Sequence, residues 1–307
     1  MMNRLSYIAT ILILALLSCN SAGPGNAVEP LANMNSMGGL LTTNYKSFEE
    51  FKEVVKMEYS SKGKPSVTLT HESNGATVTC RLGSGVSEND FLRAKEGGFW
   101  DKVRLTFLSP YFVINRKDLL RVYILSRRRH KDFGWKDIAF FDLAEAMKNN
   151  IYEEDKQAAT EDELSEKGYI NSFNHIAAQA IMTTLFDEKL ADYVADTHER
   201  KNMPELITGD FTKKQLEDIK FGAVDNYVDI VNNEWGQELG KFLKMKYAID
   251  RSTEWTPELM SKYLNDIQSY FGRVFRIRLN AFTAQDHVSR QFSKKLNHIM
   301  DDVSGMW

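Results

Sequence analysis

The chain has 307 residues, of which 43% are hydrophobic and 26% charged, with 39 Lys and Arg set against 42 Asp and Glu for a formal net charge of −3. Such length and apolar content can build a sizeable core, which excludes a disordered chain. The interspersed, slightly acidic charge excludes the basic face of a nucleic-acid-binding protein.

The first residues, Met1-Met2-Asn3-Arg4, are followed by an apolar run from Ile8 to Leu17. That run is shorter than the roughly 20 residues a membrane-spanning helix needs, but it suits the hydrophobic region of a secretory signal. It ends in Leu16-Leu17-Ser18-Cys19, which resembles the bacterial lipobox. The resemblance implies cleavage before Cys19 and lipidation of its thiol, and hence a membrane partner through a lipid anchor. Asn20 is not the Asp that resembles an inner-membrane retention signal, so an outer-membrane site is expected where the organism has two membranes. With Cys19 so used, Cys80 has no second cysteine to pair with and the folded part must rest on its core.

Residues 19–43 carry one charge, Glu29, in a background of Asn, Gly, Ser, Pro and Ala, and read as a flexible tether after a signal at 1–18. Residues 44–98 read as a small α+β element. Ser47 and Glu50 form a capping-box pattern ahead of a short helix. Val67, Leu69 and His71 then alternate with polar residues, and the turn Ser73-Asn74-Gly75 leads to Ala76–Cys80, the pattern of a β-hairpin. The rest reads as helices: a helical domain over 99–250 and a C-terminal helical pair over 251–307, the latter opening at Thr256-Pro257-Glu258. The fold class expected is therefore mainly α, a helical bundle with a small N-terminal α+β element. The basic cluster Arg127-Arg128-Arg129-His130-Lys131 reads as a solvated helix end, and Trp255, Tyr263 and Tyr270 as packing aromatics.

The block most informative about function lies between Asn171 and Gly240. A helix carrying Asn171 and His175 is apolar almost all round, so His175 should be buried and need hydrogen-bond partners. A helix near 188–200 carries Asp196, His198 and Glu199, and its inward face is expected along Ala191, Val194, Ala195 and His198. If the two run antiparallel, His175 and His198 lie level. A third helix, from about Ala223 to Tyr247, aligns Asp229, Asn232, Asn233, Gly236 and Gly240 on one stripe, whose glycines imply close approach by another helix or a ligand.

The succession of Asn171, His175 and Ala177, then Asp196, His198 and Glu199, then Asp229, Asn232, Asn233 and Gly236 resembles an uncharacterised helical domain of bacterial secreted and cell-surface proteins. That family carries RHA, DxHE and DxxNNxxG motifs in the same order. The match covers about residues 105–250, and Asn174 stands where the family tends to have Arg. The resemblance implies candidate positions but no reaction.

Two readings follow. In one, His175, His198, Glu199, Asp229, Asn232 and Asn233 are a buried polar network that fixes helix register, and the protein is an envelope interaction module whose partners are the membrane, envelope proteins or peptidoglycan. In the other they serve a hydrolase, with a divalent metal on His175, His198 and Asp229, or with one His as general base, and with Asn232 and Asn233 as donors to an oxyanion. Asp196 is the outlying member, since an i,i+4 pair with Arg200 is its ordinary role.

Overall fold

The computed structural model describes residues 34–301, so Cys19, the signal 1–18 and the first part of the expected tether lie outside the described residues. Strand and helix signals sort as expected, into a mainly helical body with a small antiparallel sheet near the N-terminus.

Helix α1 (Phe48–Val54) starts at Ser47, whose hydroxyl accepts the backbone N–H of Glu50, while the Glu50 carboxylate reaches back one residue further, to the N–H of Lys46 at 2.7 Å. The chain then passes directly into β1 (Val55–Ser60), which was not anticipated because its alternation follows a helix without a turn residue. β1 pairs with β2 (Ser66–Ser73), and β2 with β3 (Ala76–Gly83), in the order β1-β2-β3. The β2–β3 turn places Asn74 and Gly75 at φ of 49° and 81°, the left-handed pair that a tight hairpin demands.

The buried face of the sheet, Val67, Leu69, Val78, Cys80 and Leu82, lies against the helical body. His71 extends that face, and its Nδ1 accepts the indole N–H of Trp235 at 2.9 Å. Burial holds the His71 imidazole at about 4, below its ordinary 6.5. The unfolded chain therefore takes up the proton first, and stability present above about pH 6.5 is lost as pH falls towards 4, by about 3 kcal/mol at 1.36 kcal/mol per unit. Urea midpoints measured across this window should be steeper in pH for the parent than for His71→Gln, and equal slopes would contradict the assignment.

Three helices, α2 (Glu88–Glu96), α3 (Phe99–Leu108) and α4 (Pro110–Ile114), share a small cluster of their own around Val86, Ala94 and Leu105. The boundary expected at residue 98 therefore falls inside a unit. After α5 (Arg116–Leu125), α6 (His130–Phe133) and α7 (Phe140–Asn149), the acidic connection holds two short helices, α8 (Glu153–Ala158) and α9 (Glu161–Leu164). The long elements follow: α10 (Tyr169–Leu185), α11 (Glu188–Asn202), the short α12 (Lys213–Glu217), α13 (Ala223–Lys246), α14 (Pro257–Val274) and α15 (His287–Asp301). One continuous apolar core runs from Met37 to Ile299, so the C-terminal pair shares it and is no separate body. Trp255 and Tyr263 meet edge to face at 5.4 Å inside it. The basic cluster is partly consumed by ion pairs of Arg128 with Asp142 and of Arg129 with Asp132.

The expectation that the tether runs to residue 43 is corrected. Met37, Leu40, Leu41 and Thr42 are at most 5% exposed, and the Tyr270 hydroxyl donates to the carbonyl of Gly38. Residues 37–42 are a strap laid into the core. The Gly38 backbone comes so close to β2 that a Cβ there would lie 2.4 Å from that of Ser73, which is why glycine stands in the strap. Low-complexity composition hid three apolar anchors, Met37, Leu40 and Leu41, within it.

Candidate functional site

The centre of the molecule is α13, whose 24 residues are buried along most of their length and yet carry a polar group on nearly every turn. A buried polar side chain is costly unless bonded, and here each has its partner. Asp225 receives the Lys167 ammonium at 2.9 Å and the Thr42 hydroxyl at 3.0 Å. Asn232, fully buried, accepts the Leu40 N–H at 2.8 Å and donates to the Leu40 carbonyl at 2.9 Å, acting as a strand partner for the strap, and Ser172 adds a donor to the same carbonyl. The Gln237 amide reaches Gln179 at 3.3 Å. Both ends of the Asn232 amide are thus committed to the strap, and it is not a donor for a substrate oxyanion.

One turn apart, Asp229 and Asn233 hold His175. The imidazole Nδ1 lies 2.9 Å from Asn233 Oδ1, and its Nε2 lies 3.3 Å from Asp229 Oδ2. The other oxygen of Asp229 accepts the Asn171 amide at 2.8 Å. Burial lowers His175 to about 4, with Asn233 working the other way, and burial raises the Asp229 carboxyl well above its usual range, helped by Asp225 and Glu199.

His198 does not join them. Its ring turns outward to Glu88 at 3.0 Å, 43% of the side chain is exposed, and Glu199 points inward instead. The physical reason is a rotation of α11: its buried row is Ala191, Ala195 and Glu199, at i, i+4 and i+8, rather than the row through Val194 and His198. The sequence carried that row, but a buried Glu is a rare enough choice that the histidine drew the assignment. The trio expected from the sequence, His175, His198 and Asp229, therefore does not converge, and the ligand-type atoms that lie within 4.8 Å of one another are those of His175, Glu199 and Asp229.

Glu199 is 1% exposed, and neither of its oxygens accepts a hydrogen bond of normal geometry, although the Asn233 amide is close enough to favour its charged form. Burial lifts it to about 7, opposed first by His198. A narrow cleft leads to it, lined by Cys80, Arg81, Asp192, Asp196, Asn233 and Glu234 among others, with room for about one water molecule. Asp196 pairs with Arg200, as its spacing foretold, and burial with the charge of Asp192 raises it to about 8. Burial brings Glu234 to about 8 as well.

The glycines of the stripe are explained by helix contact. A Cβ on Gly236 would lie 2.6 Å from the carbonyl oxygen of Ile176, and one on Gly240 2.5 Å from that of Ala180. Both notches therefore seat α10, the helix that carries His175.

No protein-family model matches this chain, and neither the curated proteins nor the solved structures hold a match.

Proposed function

We propose that this protein is an envelope lipoprotein, anchored through Cys19, whose helical body is an interaction module seated at the membrane surface. The observation that carries this reading is the outer face of α3. Phe99, Trp100 and Phe107 are 71%, 78% and 71% exposed, while Leu105, the residue by which α3 attaches, is buried. At about 100° per residue, Phe99, Val103, Phe107 and Trp100 fall on one side of the helix and Leu105 on the opposite side. Exposed Lys102 and Arg104 flank that face at the same spacing. An apolar, aromatic face edged by cations is the pattern of a helix lying in the headgroup boundary of a bilayer.

The reach of the chain agrees. The 15 steps from Cys19 to Met34 span at most about 50 Å, against a radius of gyration of about 18 Å for a body of this size. No helix among the described residues is long and apolar enough to cross a membrane. The hydrolase reading has less support, since the cleft that reaches the cluster has room for about one water molecule and none for a substrate carbonyl.

Replacing Cys19 by Ala should move the protein from the membrane pellet to the soluble fraction. On vesicles of phosphatidylethanolamine and phosphatidylglycerol the soluble variant should still bind at low salt, and Trp100→Asp with Phe107→Asp should abolish that binding. A Cys19→Ala protein that still pellets as an integral membrane protein would remove the anchor from this account, and vesicle binding indifferent to the α3 changes would remove the docking face.

A further inference from the structure

The His175, Glu199 and Asp229 cluster gathers buried ligand-type atoms, and the two oxygens of Glu199 among them have no protein donor of normal geometry. The orientation of Asn233 is set by its surroundings, because reversing its amide would turn an oxygen towards the Glu199 carboxylate. With Asn233 Oδ1 facing His175 Nδ1, that nitrogen carries the proton and donates, so the Nε2 lone pair faces Asp229 Oδ2 at 3.3 Å. Acceptor then faces acceptor unless the Asp229 carboxyl keeps its proton, and the two oxygens of Glu199 add acceptors with no such donor. Lys167, a cation that acts on Asp229, is bonded to Asp225.

We propose that His175 Nε2, the Glu199 carboxylate and Asp229 Oδ2 together bind one divalent first-row metal ion. Binding displaces the carboxyl protons, so that two carboxylates and a neutral imidazole then bring two negative charges, which a divalent cation balances, and the mixture of nitrogen and oxygen donors suits Zn2+ or Mn2+ better than the all-oxygen preference of Ca2+ or Mg2+. A tetrahedral ion about 2.0–2.2 Å from each donor holds the donors about 3.3–3.6 Å apart, so the present spacing of up to 4.8 Å closes by at most about 1.5 Å, shared between two side chains. The surrounding bonds are those that orient metal ligands. Asn233 fixes the imidazole tautomer and Asn171 fixes the carboxylate. The cleft lined by Asp192, Asp196 and Glu234 offers a route to Glu199 and a place for a metal-bound water.

A second acidic group, Glu188, Glu234 and Glu238, shows the contrast. There the Lys241 ammonium sits 2.9 Å from Glu188 and 2.6 Å from Glu238, so the cation is already supplied by the chain. The inference does not depend on the membrane reading, since it concerns the interior of the folded body.

The test uses the full-length protein in detergent, stripped with a chelator and titrated separately with Zn2+ and Mn2+, with bound metal measured by mass spectrometry and Tm followed in parallel. The parent should bind one equivalent of at least one of the two ions and gain Tm. Glu199→Gln, which keeps shape and volume, should remain folded and lose about tenfold or more in affinity, Asn171→Ala should lose a comparable factor through misorientation of Asp229, and Glu188→Gln should bind as the parent does. Failure of the parent to bind either ion, or equal binding by the parent and Glu199→Gln, would overturn the proposal.

Discussion

Gly236→Leu should give a chain that does not reach the native state, and Gly236→Ala a folded protein of markedly lower Tm. Alanine raises helix propensity by about 1 kcal/mol over glycine, and on an exposed helix it would stabilise. Here the new Cβ meets the Ile176 carbonyl at 2.6 Å, the Gln179 Cβ at 2.8 Å and the Ile176 Cα at 3.0 Å. Two of these atoms are backbone, so α10 as a whole must move, and with it His175 and Ser172. Overpacking of this kind costs about 1–3 kcal/mol, and more where backbone cannot yield, so the net for Gly236→Ala is a loss in spite of propensity. Gly240→Ala repeats the clash one turn on, and because both notches seat the same helix the two losses should be non-additive. Gly83→Ala, whose nearest neighbour would be 3.9 Å away, serves as the control and should stay within about 0.5 kcal/mol of the parent in urea denaturation.

Where the sequence was legible, period and caps made it so. α13 was expected from about Ala223 to Tyr247 and runs Ala223–Lys246, and the second proline-led helix begins at Pro257 as expected. The stripe of Asp229, Asn232, Asn233, Gly236 and Gly240 was visible at helical spacing, and its glycines do mark a helix contact. What spacing could not show was the destination of each side chain. Asn232 and Asn233 are neighbours in sequence, but one step of about 100° around α13 sends the first to the strap at Leu40 and the second to His175.

The errors have the same origin. An angle of one residue on α11 exchanged His198 for Glu199, because the position of a helical face is set by its neighbours and not by the helix itself. The strap was missed because composition averages over a window, whereas docking depends on individual residues. Met37, Leu40 and Leu41 are enough to hold it, with Asn232, Ser172 and Tyr270 taking its backbone groups. Its partners lie more than a hundred residues away, and no local pattern points to them.

Lys295 is the largest such omission and carries the second large effect. α15 contains Lys294 and Lys295 side by side, and a basic pair reads as solvated surface. Lys294 is exposed, whereas Lys295 is 1% exposed, because it stands three residues after Phe292 and four before Ile299 on the buried stripe. Its ammonium uses all three protons, to Asp137 Oδ2 at 3.0 Å and to the carbonyls of Arg127 and Ile138 at 2.9 and 2.8 Å. Asp137 in turn accepts the backbone N–H of Arg129 and of Ile138, so one ion pair ties α15 to the loop between α5 and α7. Removing one partner leaves a buried charge without compensation, and Lys295→Met should cost about 3–5 kcal/mol. Lys295→Arg should not restore it, since a planar guanidinium cannot direct protons to three acceptors arranged around a point. Because the loss arises from the stranded Asp137 charge, Lys295→Met with Asp137→Asn should be more stable than Lys295→Met alone, by at least about 1 kcal/mol in a double-mutant cycle read by urea denaturation. Simple additivity of the two changes would mean that Asp137 is stabilised by its backbone donors and owes nothing to the lysine.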